Sequence, residues 1–357
     1  MILELVRLTY LFLENAFMNL SVRALAKWVV FAALGNPMAV QLRMRQITKH
    51  QALTVLCLHR VAPMDDSTYP PMDPGLFREM LAFCQAHFTI MTFAELSTEQ
   101  GTQRWSKPPL VLTFDDGYKD FADYSAPIMA EFGVRCNLNL IPSAIEIGLP
   151  PFNVILNDYA GRAPEEHLAA LDVPDFAPFS PGESRYVFGN ALSTHFKNRS
   201  MAEQEKLADI IRPQLACSAD FKPSAMMSLT EARQVAEMHE IGAHSFEHAN
   251  LGKESNEYVR QDARRCREWF AREMSLAPTI YAVPNGDYRN EQLPLIAGEG
   301  FSTLLLVSQR FSSISSKAHC RFNIDASGVS EMRFKAMGGL AKPTRACPML
   351  VANEDMG

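Results

Sequence analysis

Residues 109–118, Pro-Leu-Val-Leu-Thr-Phe-Asp-Asp-Gly-Tyr, constrain what this chain can fold into more than any other stretch. The apolar run from Leu110 to Phe114 suits a strand buried on both faces, as in a parallel sheet covered by helices. Gly117 permits the sharp turn that follows. Asp115 and Asp116 then stand at the carboxyl end of a central strand, where α/β folds place their chemistry. Neighbouring carboxylates repel unless a cation or a shared proton relieves them. Taken alone, the pair also reads as a plain Asp-Gly turn capping the next helix.

Strand and helix patterns alternate around this stretch. Ala52 to Leu58 reads as a first strand, closed by His59 and Arg60. Asp73-Pro74 opens a helix with Phe77, Met80, Leu81 and Cys84 on one face. Tyr118 to Phe132 reads as a helix stopped by Gly133, with Pro127 as its flaw. From Val134 to Leu140, apolar residues alternate with Arg135, Asn137 and Asn139, a strand pattern. No period lasts through residues 142–225, which read as an insertion with one or two helices, at 164–170 and 201–215. Ser228 to Glu231 is a capping box. Glu240 to Ala243 is a short strand ending at His244, and Ser255 starts a long helix. Thr279 to Val283, Phe301 to Val307 and Arg321 to Asp325 read as further strands. About seven strands with helices between them imply an α/β fold with a parallel sheet, enough to close a barrel. An open doubly wound sheet is the rival. The expected organisation is a helical extension over 1–48, a main domain over 49–330 and a tail over 331–357.

The formal charge of −6 on 357 residues, with no basic run, argues against a nucleic-acid footprint. The apolar start of the chain is interrupted by Glu4, Arg7, Glu14, Arg23 and Lys27. Its longest uncharged run, 28–42, contains Gly35-Asn36-Pro37 and is too short to cross a bilayer. Residues 1–34 therefore read as amphipathic helices that pack on the main domain or lie on a membrane surface. Gly35-Asn36-Pro37 ends that helical segment. Seven scattered cysteines without a CxxC favour free thiols in a reducing compartment, hence a cytoplasmic location.

His244-Ser245-Phe246-Glu247-His248 is the second constellation. Two imidazoles four residues apart can grip one metal, or can be two surface histidines. The string also spells the inverted zinc-peptidase motif, which needs a continuous helix through both histidines. Gly242, Asn250 and Gly252 oppose that helix. Both constellations lie just past a strand end. One Asp and two His make a three-ligand set that leaves positions open for water and substrate. Water held there becomes a strong nucleophile near neutral pH, and the second carboxylate can take its proton.

In these two motifs the chain resembles a polysaccharide deacetylase of the NodB-homology type, carbohydrate esterase family 4. The family's T-F-D-D-G stands as Thr113 to Gly117, and its H-[ST]-x-x-H as His244 to His248, within a resemblance covering about residues 52–325. The resemblance implies a distorted, incomplete (β/α) barrel. It implies Asp115 as base, with Asp116, His244 and His248 holding a divalent ion, usually zinc. The family's R-x-P-[FY]-G departs, reading Ala282-Val283-Pro284-Asn285-Gly286, as in one branch of the family. Ala282 stands where an Arg normally buttresses the base, so Arg321 or Arg60 is a candidate to orient it. By analogy the Asn285 backbone N–H helps hold the tetrahedral oxyanion, with Pro284 beside it in the substrate site. The late L-x-x-H that supplies the general acid is absent, and the context of His319 does not match it. His59 resembles part of a Tyr-His-Arg start and could line the site, and Tyr118 could stack on a sugar.

The implied activity is removal of N-acetyl groups from an N-acetylated sugar of a bacterial glycan or its lipid-linked precursor. A precursor at the inner membrane face would reconcile a cytoplasmic location with such a substrate. The rivals are a hydrolase of cyclic imides or ureides using the same site, and a glycan-binding protein with a degenerate site.

Overall fold

The computed structural model describes residue 31 and residues 35–98, 105–218 and 220–343. Eight strands are present: β1 (Thr54–Leu58), β2 (Thr89–Ile90), β3 (Pro109–Phe114), β4 (Asn137–Leu140), β5 (Glu240–Ala243), β6 (Ile280–Ala282), β7 (Thr303–Val307) and β8 (Ala318–Asn323). Their order in the sheet is β1-β8-β7-β6-β5-β4-β3-β2, and a further β1–β3 pairing closes the ring, with β2 appended to β3. This is the (β/α) barrel that the alternating pattern predicts, not the open sheet. All six residues of β3 are buried, and Leu110, Val111, Leu112 and Phe114 are fully inaccessible. Each such side chain contributes about 1.5–3 kcal/mol relative to exposure.

The chain divides into two compact units. The first comprises residues 1–58, 75–112 and 308–357. In it β1 and β8 run parallel, with Leu56 opposite Phe322. The helix Pro74–His87 buries Phe77, Met80, Leu81 and Cys84, the face its period specifies, and Phe83 besides. Gly35-Asn36-Pro37 interrupts the helical run as expected, Phe31 being helical and accepting from the Gly35 N–H at 2.7 Å, but it also starts a helix. Asn36 accepts from the backbone N–H groups of Met38 and Ala39, so it caps the start of a helix, Pro37–Lys49. Asn as N-cap and Pro in the first turn are start signals as much as stop signals. The part of the expected N-terminal helices over 1–30 lies outside the described residues. The supposed tail contains a helix, Val329–Ala336.

The second unit comprises residues 59–74 and 113–307. Here the end of β3 and strands β4 to β7 are parallel, with Thr113 opposite Asn137, Leu138 opposite Ile241, Ala243 opposite Tyr281 and Tyr281 opposite Leu304. In β4 the polar residues face no solvent: Asn137 and Asn139 are as buried as Leu138 and Leu140. The segment after Tyr118 runs as a π-turn, Phe121–Ser125, and then an α-helix, Ala126–Glu131. Pro127 directly follows the π-turn in a continuous helical run, and such a widened turn is where a helix accommodates a missing N–H.

The insertion is far more helical than its sequence suggests. It holds Pro142–Ile147, Phe152–Arg162, Glu165–Ala169, Arg185–Lys197 and Met201–Leu215. Leu156, Tyr159, Leu192, Phe196 and Ile211 share one apolar core there. A Cβ on Gly189 would lie 2.2 Å from Thr68 Oγ1, and one on Gly161 would lie 1.8 Å from the Asp66 carbonyl oxygen. The glycines that obscure the helical period are thus where two helices touch the loop over 59–74.

Cys57, Cys84, Cys136 and Cys266 are buried free thiols and Cys217 is an exposed one. Cys320 departs from the expectation of free thiols, being disulfide-bonded. Scattered spacing argues against a compact framework but does not exclude a single bridge. Among the described residues no helix is long and apolar enough to cross a membrane.

Candidate active site

The site is built on the ends of β3 and β5, both in the second unit. After Phe114 the chain turns at once: Asp116 has φ 77° and Gly117 φ 88°. A Cβ on Gly117 would press to 2.9 Å of Leu140 Cδ2. This left-handed pair costs Asp116 conformational energy and swings its carboxylate back over the sheet. Past β5, Ser245 (φ 60°) and His248 (φ 59°) are also left-handed. The segment is therefore a wound loop, which removes the helix that the inverted zinc-peptidase reading needs. Glu247, the would-be base of that motif, points away, paired with Arg265 at 3.2 Å.

Asp262 holds the loop. Its carboxylate accepts from Ser245 Oγ at 2.9 Å, from the Phe246 N–H at 2.9 Å and from Tyr281 Oη at 2.7 Å. Ser245 Oγ in turn accepts from the Ala249 N–H at 3.0 Å. Burial raises the Asp262 pKa, and these donors oppose the rise.

Within this frame three side chains converge. Asp116 Oδ1 lies 3.4 Å from His244 Nε2 and 3.6 Å from His248 Nε2. One ligand atom from each of the three falls within 4.8 Å of the others. His244 Nδ1 is 2.9 Å from the Ala282 carbonyl oxygen, so Nδ1–H donates there and Nε2 presents its lone pair to the cluster. Burial pushes the His248 pKa down to about 3, with Asp116 opposing, so the ring is neutral at physiological pH. Asp116 Oδ1 is buried with no hydrogen-bond partner. A buried orphan carboxylate oxygen beside two imidazole nitrogens is a donor set able to hold a metal ion.

Asp115, 2% exposed, stands beside this set with Oδ2 3.7 Å from His244 Nε2. Its Oδ1 accepts from Asn139 Nδ2 at 2.8 Å. A Cβ on Gly242, across in β5, would lie 2.2 Å from Asn139 Oδ1, so the absent side chain makes room for that amide. A ring nitrogen of His59 lies within 4.8 Å of an Asp115 carboxylate oxygen, and the His59 ring meets Tyr69 edge-on.

Two expectations need correction. Arg60 does not orient Asp115: it pairs with Asp120 at 2.8 Å and Asp65 at 3.0 Å. Tyr118 offers no face to a sugar, being 1% exposed with the Arg60 guanidinium over its ring. A tyrosine directly after a buried turn follows the chain inward, into contact with Met226. Pro284 is buried, whereas Asn285 is exposed and left-handed, with φ 56°. Ala282, which reads in the sequence as a loss, contributes its carbonyl to His244. Sequence reasoning missed Asn139 and Asp262. Their signals were a pair of amides in an otherwise apolar strand and a lone carboxylate on the apolar face of a helix.

The family model for polysaccharide deacetylase matches residues 194–303. No curated protein sequence gives a significant match. Among solved structures, the chain is similar to the Streptococcus pyogenes deacetylase PplD in complex with acetate, at 14% identity and TM-score 0.52, covering 80% of this chain and 98% of that one. It is similar to IcaB from Ammonifex degensii at 14% identity and TM-score 0.51, covering 80% and 97%. It is also similar to BC0361, a polysaccharide deacetylase from Bacillus cereus, at 10% identity and TM-score 0.50, covering 80% and 69%. At these identities the structural likeness speaks for the fold.

Proposed function

We propose that this chain, which has the polysaccharide deacetylase fold and matches that family over 194–303, is a metal-dependent hydrolase removing N-acetyl groups from an N-acetylated sugar. The observation that carries the reading is the convergence of the Asp116, His244 and His248 donor atoms around an orphan buried carboxylate oxygen. A divalent ion held there, zinc by its ligand set, would polarise the acetyl carbonyl and make water a nucleophile at neutral pH. Asp115 would take the proton from that water, since its Oδ1 is held by Asn139 and its Oδ2 faces the cluster. The Ala282 carbonyl and the Asp262 network keep His244 and its loop in place. The Asn285 N–H is assigned to the oxyanion, and His59 to the substrate side of Asp115. Residues 49–330 form the catalytic domain in this reading. A lipid-linked precursor, met at a membrane surface through residues 1–34, belongs to the same proposal. Fractionation of full-length and truncated protein tests that part.

The main test is Asp116→Ala and His244→Ala, each measured by zinc titration and by acetate release from N-acetylated oligosaccharides. Both variants should lose zinc binding, and acetate release should fall by roughly 100-fold or more. Chelation of the wild type should do the same, reversibly. Full zinc binding and full activity in both variants would end the proposal. Turnover of cyclic imides without acetate release would move the chain to another amide substrate.

A further inference from the structure

The loop over 59–74 is tied down on both sides of one aromatic residue, Tyr69. Thr68 donates its backbone N–H to the Asn157 carbonyl at 3.2 Å and its hydroxyl to Asn157 Oδ1 at 2.9 Å. The Thr68 carbonyl accepts from Asn190 Nδ2 at 3.3 Å. The Tyr69 N–H donates to Ser67 Oγ at 3.1 Å, and the Tyr69 carbonyl accepts from Arg60 Nη1 at 3.3 Å. Asn157 and Asn190 both stand on helices of the insertion, Phe152–Arg162 and Arg185–Lys197. Yet the side chain so anchored is not sealed. Ser67 and Thr68 are buried, whereas Tyr69 is half-buried.

The Tyr69 ring borders the site. It packs against the apolar cluster that contains Tyr118, Val154 and Met226. It also meets the His59 ring edge-on, with centroids 5.9 Å apart. A His59 ring nitrogen in turn lies within 4.8 Å of an Asp115 carboxylate oxygen. Asp115 is bounded by Asn139 at Oδ1 and by His244 at Oδ2, so His59 and Tyr69 bound it on a further side. Tyr69 is thus one imidazole away from the proposed base, backed by the core and still open to solvent. An immobilised ring offers contact area at little further entropy cost. A pyranose presents a face of C–H groups that rests well on such a ring. We infer that Tyr69 is a substrate-positioning residue: the sugar ring lies on it, with the acetyl group carried toward Asp115 and the metal ligands. The inference rests on the deacetylase reading above and deepens it, naming a pyranose face as the group recognised. It also gives the insertion a task, since its two asparagines hold the loop that carries the ring.

The test uses the zinc-loaded full chain as wild type, Tyr69→Leu and Tyr69→Phe, with acetate release from N-acetylglucosamine oligomers as the readout. Leu keeps an apolar side chain against the core but has no ring face, and Phe keeps the ring. Tyr69→Leu should raise KM by roughly 5- to 10-fold, with kcat and zinc affinity each within about twofold of wild type. Tyr69→Phe should keep KM within about twofold of wild type. An unchanged KM in Tyr69→Leu, or an equal rise in both variants, overturns the inference. So does a fall in kcat or zinc affinity as large as the rise in KM, because Tyr69 would then act by holding His59 or the fold. A wild type that binds zinc but releases acetate from no acetylated sugar sinks the deacetylase reading instead.

Discussion

Asn139 is one support of the carboxylate that we propose as the base. Its amide nitrogen lies 2.8 Å from Asp115 Oδ1 and donates to it, which fixes that oxygen. Asn139→Ala should therefore lower kcat by roughly 10- to 100-fold while zinc affinity stays within about twofold, because Asn139 supports the base and touches none of the three ligands. Acetate-release kinetics with a parallel zinc titration checks this. Equal losses of both would make Asn139 a support of the metal ligands. In the sequence the residue is visible only as the polar half of an alternating strand. That pattern does not say which face is buried.

At the scale of elements, β4 and β5 act as a matched pair. Asn139 lies opposite Gly242 in their parallel register. A methyl group on Gly242 would meet Asn139 Oδ1 at 2.2 Å and Asn137 Nδ2 at 3.2 Å. The amide end must then swing, and Asp115 loses its hydrogen bond. Gly242→Ala is expected to cut kcat about as much as Asn139→Ala, and the double variant should be no worse than either single one. Additive losses would show that the two residues act separately. The histidine loop follows the same logic. Left-handed residues at Ser245 and His248 cost roughly 1–3 kcal/mol each, and the buried Asp262 bonds offset that. Spacing alone reveals the two histidines, but only the loop conformation turns both rings toward Asp116.

For the whole molecule, the buried histidines set the acid limit of stability. Burial lowers His239 to about 4, helped by the charge of Arg135, and lowers His319 to about 4. Unfolded, each titrates near 6.5. Between these values the unfolded chain binds more protons than the folded one. Stability therefore rises with pH through that window and is lost as pH falls from about 6.5 toward 4. Asp120, raised to about 6 mainly by burial, acts in the opposite sense over pH 4 to 6, so the net slope understates each histidine. His239→Gln should reduce the slope of unfolding free energy against pH in this window by up to about 1.4 kcal/mol per pH unit. Urea melts of wild type and variant at pH 4.5, 5.5 and 6.5 measure it. Parallel slopes would mean that His239 is charged in the fold.

The sequence by itself determined the alternation of strands and helices, and hence the barrel. It also marked the two strand ends where Asp115, Asp116, His244 and His248 sit, because apolar runs, turn glycines and residue spacing are local signals. Tertiary structure alone decided what supports and surrounds them. Asn139 reaches Asp115 from the next strand, Asp262 braces the loop from a later helix, and the Ala282 carbonyl orients His244 from a strand 38 residues on. It likewise buried Tyr118, paired Arg60 with Asp120, and folded the unpatterned insertion around its own core. These are contacts between segments distant in the chain. A local pattern records the period of an element, but not the partner that its polar side chains will meet.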